Sequence, residues 1–323
     1  MPDTIRNGIT IPFDAVPLGE HGRLARLLAD LGYTDVWTSE VGGYDAFTPL
    51  VLAGTATPAL RLGTAIVPVF TRGPATLAQS AASLCALAPG RVALGIGTSS
   101  DVIVDRWNGL AFERPYQRVR DSIRFLRAAL AGEKVDEEYE TFRVQGFRLE
   151  VPVEQPPPIL VAALRPAMLR LAGREADGAI LNWLSADDVR RVAPIVGPGK
   201  EIVARVFVIP TGEGDEAREA ARVAARRQIA AYLNVPVYAA FHAWLGRGDA
   251  LRPMWDAWAA GDRRAATAAI PEQLVEELVV IGPVEECRAH IERYRDAGVA
   301  TTAPKLLGVA PEHLEDVLRG LAP

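Results

Sequence analysis

The stretch that decides the fold is GRVALGIGTSS, residues 90–100. An apolar run at 92–94 leads into Gly95-Ile-Gly97, and three hydroxyl-bearing residues follow. A dinucleotide-binding fold needs G-x-G-x-x-G between its first strand and a helix, with an acid about 20 residues later. Here the third glycine position is Ser100, and the run is the fourth predicted strand. The dinucleotide-binding interpretation therefore fails, and a plain turn or a loop of another fold remains.

On both sides of this loop, β-branched runs alternate with amphipathic helical stretches. A helix pattern follows each predicted strand, and 136–150 is predicted as a hairpin. This order is typical of a (β/α)8 barrel, with an open doubly wound sheet as the alternative. We therefore predict an α/β fold, a single TIM-barrel domain over 1–323 with a helical insertion around 234–298. The eight predicted strands are 5–11, 35–37, 61–67, 91–94, 159–162, 178–181, 202–209 and 302–307.

Composition and the absence of several motifs exclude some function classes. The 323 residues carry a net charge of −5, which gives no basic surface for nucleic acid. The sequence shows no run of 18 apolar residues and no secretory leader pattern, so we expect a cytoplasmic protein without a membrane partner. Four histidines and two cysteines show no metal-ligand spacing, and hydrolase and P-loop motifs are missing. We expect no metal, and chemistry that comes from an organic cofactor.

A series of short motifs resembles the luciferase-like family of TIM-barrel enzymes. The quoted loop continues as LGIGTSSD at 94–101 and is followed by RWNG and FERP. Most of the other motifs extend to or past the carboxyl end of a predicted strand, where TIM-barrel active sites lie. In order and spacing, the motifs most resemble the branch that uses coenzyme F420, a deazaflavin. These other motifs are VWTSE (36–40), LGTAI (62–66), PILVAALRP (158–166) and AGREADG (172–178).

The resemblance implies a cofactor site at the barrel mouth, for coenzyme F420 or, alternatively, FMN. In the family the peptide that matches Ala65–Ile66 is cis and supports the ring, whereas an ordinary strand is the alternative. Gly97 would let the backbone approach the cofactor. Hydroxyls after the fourth strand and the helix start after the fifth would hold a phosphate. Arg165 would add charge, or it is a solvated surface residue. The implied cofactor-binding residues are Ser39, Glu40, Ala65, Ile66, Gly97, Thr98, Ser99, Ser100, Ala162, Ala163, Leu164, Arg165 and Asn182.

The resemblance also suggests catalytic and substrate-binding residues. Glu40 and Tyr44 are candidate proton sources, although Glu40 also fits a salt bridge or a helix terminus. The family's sugar-phosphate dehydrogenases carry a histidine and a glutamate where this chain has Val41 and Ser100. We therefore do not expect glucose-6-phosphate oxidation. The aromatic residues predicted at the mouth either contact the substrate or pack in the protein core. The candidate substrate-binding residues, which fit an apolar substrate, are Phe13, Asp45, Phe70, Trp107, Asn108 and Trp183.

Three hypotheses for the function follow. The leading one is an F420-dependent oxidoreductase that transfers a hydride between the deazaflavin and an apolar, unsaturated or carbonyl small-molecule substrate. The others are an FMN-dependent two-component monooxygenase and a non-catalytic F420-binding carrier or sensor. The aromatic segment 235–245 is predicted as a lid or a homodimer contact. Its His242 is interpreted as structural, with a proton donor as the alternative.

Overall fold

The computed structural model describes residues 5–323, so residues 1–4 of the predicted domain lie outside it. Its strands are β1 (Arg6–Thr10), β2 (Asp35–Thr38), β3 (Arg61–Thr64), β4 (Val67–Pro68), β5 (Val92–Gly97), β6 (Val135–Glu138), β7 (Arg143–Phe147), β8 (Ile159–Ala162), β9 (Gly178–Asn182), β10 (Glu201–Pro210), β11 (Val279–Gly282) and β12 (Thr301–Leu306). Its helices are α1 (His21–Asp30), α2 (Phe47–Ala56), α3 (Pro74–Leu87), α4 (Pro115–Leu130), α5 (Pro166–Glu175), α6 (Ala186–Val196), α7 (Asp215–Leu233), α8 (Pro236–Trp244), α9 (Gly248–Ala259), α10 (Arg263–Ala268), α11 (Glu272–Leu278), α12 (Val284–Asp296) and α13 (Leu314–Gly320).

Eight of these strands close into a parallel barrel. Their order is β1, β2, β3, β5, β8, β9, β10 and β12, and β12 pairs back to β1. The long strand β10 pairs with β9 through its first half and with β11 through its second half. The predicted α/β TIM-barrel fold is confirmed, and each predicted strand corresponds to one barrel strand.

Strand β11 is an element that the sequence analysis missed. It lies inside 234–298, which is predicted as a helical insertion, and there α8 to α11 precede it. The run Val279–Gly282 follows directly on α11, and a short apolar run of this kind fits either a strand or a buried helix end. The antiparallel hairpin of β6 and β7, in contrast, occupies 135–147, close to the predicted 136–150.

Local sequence explains where several helices begin. Pro74, Pro115 and Pro166 each stand in the first turn of a helix, where a missing N–H costs no hydrogen bond. Helix α6 begins with a capping box, in which Ser185 and Asp188 satisfy each other's backbone N–H groups. Within residues 5–323 no helix combines the length and the apolar character that crossing a membrane requires.

An apolar layer fills the centre of the barrel. Gly63 leaves the space for its largest member, because a Cβ at Gly63 would lie 2.3 Å from the Trp37 ring. Side chains alternate along a strand, so residues two positions later on each strand face the mouth at the carboxyl ends. The residues of this layer are Trp37, Ala65, Ala93, Leu160, Ile180, Val203 and Ala303.

Charged side chains close the barrel at the amino ends of its strands. Arg61 donates two hydrogen bonds of 2.7 Å to Glu201, and the Thr301 hydroxyl donates a third to the same carboxylate. Burial raises the pKa of Asp35, although the nearby charges of Arg61 and Arg6 oppose the rise. For Glu201, burial also acts to raise the pKa, but hydrogen bonds from Arg61 outweigh it and lower the pKa. Acids and bases in this bottom layer therefore balance one another.

Candidate active site at the barrel mouth

A second layer of inward-facing residues lies above the apolar centre, at the carboxyl ends of the strands. Strand register supports this placement, because Arg205 lies opposite Asn182 on β9 and opposite Ala303 on β12. Ser39, Ala162 and Asn182 are predicted site residues, and the alternation brings them to one layer. Gly95, Arg205 and Lys305 were not predicted. By alternation the layer consists of Ser39, Gly95, Ala162, Asn182, Arg205 and Lys305.

The carboxylate of Glu40 links its own loop, between β2 and α2, to the loop that carries Arg72. Its Oε2 accepts hydrogen bonds from the Arg72 guanidinium at 2.9 Å and from the Ala46 N–H at 3.1 Å. The N–H of Glu40 donates to the Ile66 carbonyl at 3.2 Å. This geometry matches the salt-bridge alternative, since two donors already occupy the same oxygen. The role of Glu40 as a proton source stays a prediction.

Tyr44 and Asp45 follow in the same loop and differ in environment. Tyr44 is 47% exposed, and its hydroxyl makes no hydrogen bond within residues 5–323. Asp45 accepts hydrogen bonds from the N–H groups of Phe47 and Thr48, at 2.8 and 3.1 Å, and so caps α2. Partial burial acts to raise the pKa of Asp45, but the bonds from Thr48 and Phe47 and the charge of Arg72 lower it. Tyr44 is thus the freer of the two to contact a ligand.

The peptide bond between Ala65 and Ile66 is cis, as predicted. Beside it, a Cβ added to Gly97 would lie 2.9 Å from Ala162 Cβ and 3.1 Å from Ile66 Cγ1. Glycine at 97 is therefore required by close packing between the ends of β3, β5 and β8. Its predicted contact with a cofactor stays a prediction.

Hydrogen-bond donors surround the ends of β5 and β8. Thr98, Ser99 and Ser100 are half-buried, and Ser99 has a left-handed backbone with φ 61°. Directly after them comes a π-helical turn, Val102–Trp107, which the sequence analysis missed. Helix α5 begins at Pro166, and no side chain in the described part of the chain caps its N-terminus. Free N–H groups at a helix start attract anions, so this corner fits the phosphate of a cofactor.

The loop between β8 and α5 contains the other predicted phosphate-side residues. Ala163 is buried, whereas Ala162 and Leu164 are half-buried. Arg165 is exposed at the N-cap of α5 with an extended backbone. The exposure of Arg165 fits the alternative that it is a solvated surface residue. Its contact with a phosphate stays a prediction.

Three predicted substrate-binding residues keep accessible surface at the mouth. Trp107 is 58% exposed, and its ring would lie 3.5 Å from a Cβ added to Gly42. Asn108 is exposed, and its amide donates to a backbone carbonyl in the preceding turn at 2.7 Å. Phe70 is half-buried, with its ring centroid 5.1 Å from that of Phe112. The loops after β2 and β5 therefore meet through Trp107.

Two other predicted substrate-binding residues are packed inside the protein. The Phe13 ring stacks on His21, and the Phe13 N–H donates to His21 Nε2 at 2.9 Å. Trp183 is 1% exposed and stacks on Phe207, with centroids 3.9 Å apart. This matches the core-packing alternative for aromatic residues, and a substrate contact would require both rings to become accessible.

The strongest polar feature of the mouth is one that the sequence analysis missed. Arg205 is 8% exposed, and its Nε has no hydrogen-bond partner within residues 5–323. Asn182 donates from Nδ2 to the Tyr238 hydroxyl at 2.9 Å, while its buried Oδ1 lacks a partner in the same range. Lys305, in contrast, pairs with Asp14 at 2.7 Å.

A simple pattern would have found both basic residues. Arg205 is the single charge inside the otherwise apolar run IVARVFVI, and Lys305 is the single charge inside TTAPKLL. A charge within a buried barrel strand requires a partner or a ligand. Among residues 5–323, no group of three or more His, Cys, Asp or Glu residues is placed to hold a metal ion.

Comparison with known proteins decides the family. The family model described as luciferase-like monooxygenase matches residues 4–301. The chain belongs to this family. The resemblance that the sequence motifs suggested is therefore confirmed for nearly the whole length of the luciferase-like chain.

Individual relatives of this luciferase-like protein are named for coenzyme F420. A Mycobacterium tuberculosis protein named "Putative coenzyme F420-dependent oxidoreductase Rv3520c" is 27% identical over 316 residues, 88% of this chain and 90% of the relative. The F420-dependent glucose-6-phosphate dehydrogenase of Gordonia bronchialis is 33% identical over 204 residues, 60% of this chain and 59% of the relative. The solved coenzyme F420-dependent tetrahydromethanopterin reductase of Methanopyrus kandleri has a TM-score of 0.80 at 20% identity, covering 99% and 97% of the two chains.

Proposed function

We propose that this chain, an oxidoreductase of the luciferase-like family, uses coenzyme F420 to exchange a hydride with a small organic substrate. The observation that carries the proposal is the corner of hydrogen-bond donors at the ends of β5 and β8. There, three half-buried hydroxyl residues at 98–100 follow β5, and the neighbouring strand β8 leads to the start of α5, which no side chain within residues 5–323 caps. Such a corner fits the phosphate of a flavin-like cofactor. The F420-dependent relatives support the choice of the deazaflavin.

Each part of the mouth has a role in this proposal. When bound, the deazaflavin supplies the ring carbon that gives or takes the hydride. The donors at 98–100 and at the start of α5 bind the phosphate. The Ala65–Ile66 backbone and Ala162 provide a surface of small groups for the ring. The loop with Trp107 excludes water, which would otherwise compete for the polar groups.

The proton that accompanies hydride transfer is assigned to Tyr44. Its hydroxyl makes no hydrogen bond to the protein within residues 5–323, and its ring is half-exposed at the mouth. Glu40 acts differently, because its Oε2 is held by Arg72 and by the Ala46 N–H. We assign to Glu40 the positioning of the loop that carries Tyr44. Removal of a proton donor lowers the rate by about 10²–10⁴-fold, which makes the two roles separable.

An FMN-dependent monooxygenase is the second candidate, because the matching family is described as luciferase-like monooxygenase and one structural neighbour is a monooxygenase solved in complex with FMN. Titration of the purified protein with F420 and with FMN, followed by cofactor fluorescence, separates the two. We expect saturable F420 binding in the micromolar range, roughly −8 kcal/mol, and much weaker FMN binding. FMN binding without F420 binding would contradict the proposal. Tight F420 binding without turnover across a panel of enones and alcohols would instead indicate a carrier.

A further inference from the structure

The barrel interior contains two buried arginines in opposite situations. Arg61, at the amino end, makes two hydrogen bonds to Glu201. Arg205, at the carboxyl end, makes no hydrogen bond and has no carboxylate within 4.0 Å among residues 5–323. Burying a charge without a partner is costly, so an unpaired arginine in a barrel strand calls for an explanation.

The side chain of Arg205 points toward the mouth of the barrel. Val203, two residues before Arg205 on β10, belongs to the apolar inner layer. Ala303, the register neighbour of Arg205 on β12, belongs to the same layer. On the other side its register neighbour is Asn182, which has an unpartnered Oδ1 in the described structure. Two polar side chains with unused hydrogen-bonding atoms therefore stand next to each other at the mouth.

The groups around Arg205 do not neutralise its charge. Burial lowers the pKa of Arg205, and Tyr232, Tyr238 and Asp14 oppose this only in part. Asp14 is engaged with Lys305 at 2.7 Å. Burial raises the pKa of Tyr238 to about 12, so this hydroxyl is neutral at pH 7. The positive charge is thus left for a ligand.

The wall beside Arg205 is aromatic. The guanidinium carbon lies 5.4 Å from the centroid of the Phe207 ring, which stacks on Trp183. Tyr232 packs against both rings, with centroids 5.0 Å from Trp183 and 6.3 Å from Phe207. A cation bordered by aromatic rings suits an anionic group that is attached to an apolar or unsaturated carbon skeleton.

We propose that Arg205, with the amide of Asn182, binds the carboxylate of the substrate, so that the substrate class is a small unsaturated or carbonyl-containing carboxylic acid. This inference rests on the proposed function, because the carboxylic acid is the hydride partner of the cofactor. We assign the cofactor phosphate elsewhere, since its proposed donors follow β5 and β8, and β9 separates β8 from β10. Arginine binds carboxylates through two parallel hydrogen bonds, which also orients the ligand.

The test compares two probes of the same shape, cinnamate and cinnamamide, by calorimetric titration of the protein alone and of the F420-loaded protein. We expect cinnamate to bind about tenfold more tightly, because charge-assisted hydrogen bonds are stronger than neutral ones. Arg205→Met removes this preference and leaves the F420 dissociation constant within about twofold. Arg91→Met, at the amino end of β5, is the matched control and keeps the preference.

Stability gives a second readout that separates ligand binding from a structural role. Arg205→Met removes an unpaired buried charge, so its melting temperature stays equal or rises. Equal affinity of the wild type for both probes overturns the inference, and so does a preference that survives Arg205→Met. A parallel loss of F420 affinity in Arg205→Met assigns the arginine to the cofactor and also overturns it. Because the probes are titrated with and without F420, a failure of F420 binding is seen separately.

Discussion

The guanidinium of Arg61 on β3 and the carboxylate of Glu201 on β10 make two parallel hydrogen bonds of 2.7 Å across the bottom of the barrel. In the barrel order, β3 and β10 are on opposite sides, with three strands between them in either direction. Thr301 on β12 donates to the same carboxylate at 2.9 Å. The pair therefore ties three strands together where no ligand is expected.

Glu201→Gln tests this closure of the barrel. Removing the charge of Glu201 leaves the buried Arg61 with only Asp35, at 4.0 Å, to balance it, and we expect a loss of about 3–5 kcal/mol in the free energy of unfolding. Urea denaturation followed by circular dichroism measures it. Asp187→Asn, in an exposed pair with Arg190, is the control and should change stability by less than about 1 kcal/mol. Equal effects of the two substitutions would refute the structural role of Glu201.

Gly97→Ala tests the packing of the mouth. The new Cβ would lie 2.9 Å from Ala162 Cβ, so the ends of β5 and β8 must move apart. We expect a loss of about 1–3 kcal/mol in stability, as in other overpacked sites, and roughly tenfold weaker F420 binding, equivalent to about 1.4 kcal/mol. Gly212→Ala is the matched control, since within residues 5–323 no atom beyond its chain neighbours lies within 4 Å of its Cβ position. Unchanged F420 affinity in Gly97→Ala would place the cofactor away from this surface.

Glu40→Gln and Tyr44→Phe together separate a positioning residue from a proton donor. The glutamine keeps an acceptor for Arg72, so we expect the kcat of Glu40→Gln to fall by less than about tenfold with its pH profile retained. Tyr44→Phe should lower kcat by about 10²-fold or more, the range for a lost proton donor. Steady-state kinetics over pH 5 to pH 9 measures both. The reverse order of effects would show that Glu40 supplies the proton.

His242 makes stability depend on pH. Burial, and then the charge of Arg247, lower its pKa from 6.5 to about 4. The unfolded chain binds this proton more readily than the folded chain does. The contribution of neutral His242 to stability is therefore fully present above about pH 6.5 and is lost as the pH falls toward 4. Between pH 7 and pH 5 we expect a loss of about 2 kcal/mol, at 1.36 kcal/mol per pKa unit.

The variant His242→Gln checks the assignment of this pH dependence. Between pH 7 and pH 5, the unfolding free energy of this variant should change by about 2 kcal/mol less than that of the wild type. His313→Gln, at a histidine near the chain end in an exposed position, serves as the control. Identical pH profiles for the wild type and His242→Gln would show that other groups set the acid sensitivity.

Much of the fold could be predicted from the sequence because the barrel has a regular pattern. Eight β-branched runs separated by helix patterns matched the eight barrel strands, and the hairpin was found near its observed place. The stretch 90–100 forms β5 and the three hydroxyl residues that follow it. The cis bond at Ala65–Ile66 came from the family resemblance, since no local pattern predicts such a bond.

Other features depend on which residues meet in space, and the sequence does not show this directly. The carboxylate of Glu40 contacts Arg72, which is 32 positions away, so from the sequence a salt bridge is only one of the possible roles of Glu40. Trp183 was expected at the mouth, but Phe207 on the next strand covers its ring. Arg205 was overlooked because its strand was interpreted only by its apolar residues.

The most direct test of the central claim, the use of F420, is the oxidation of reduced cofactor with and without oxygen. The purified protein is mixed with reduced F420 and a panel of enones and 2-oxo acids, and the absorbance of oxidised F420 is followed in a stopped-flow instrument. We expect oxidation that requires the protein and a substrate and proceeds at the same rate without oxygen. No protein-dependent oxidation of reduced F420 with any substrate, together with oxygen-dependent turnover of a substrate when reduced FMN replaces F420, would contradict it.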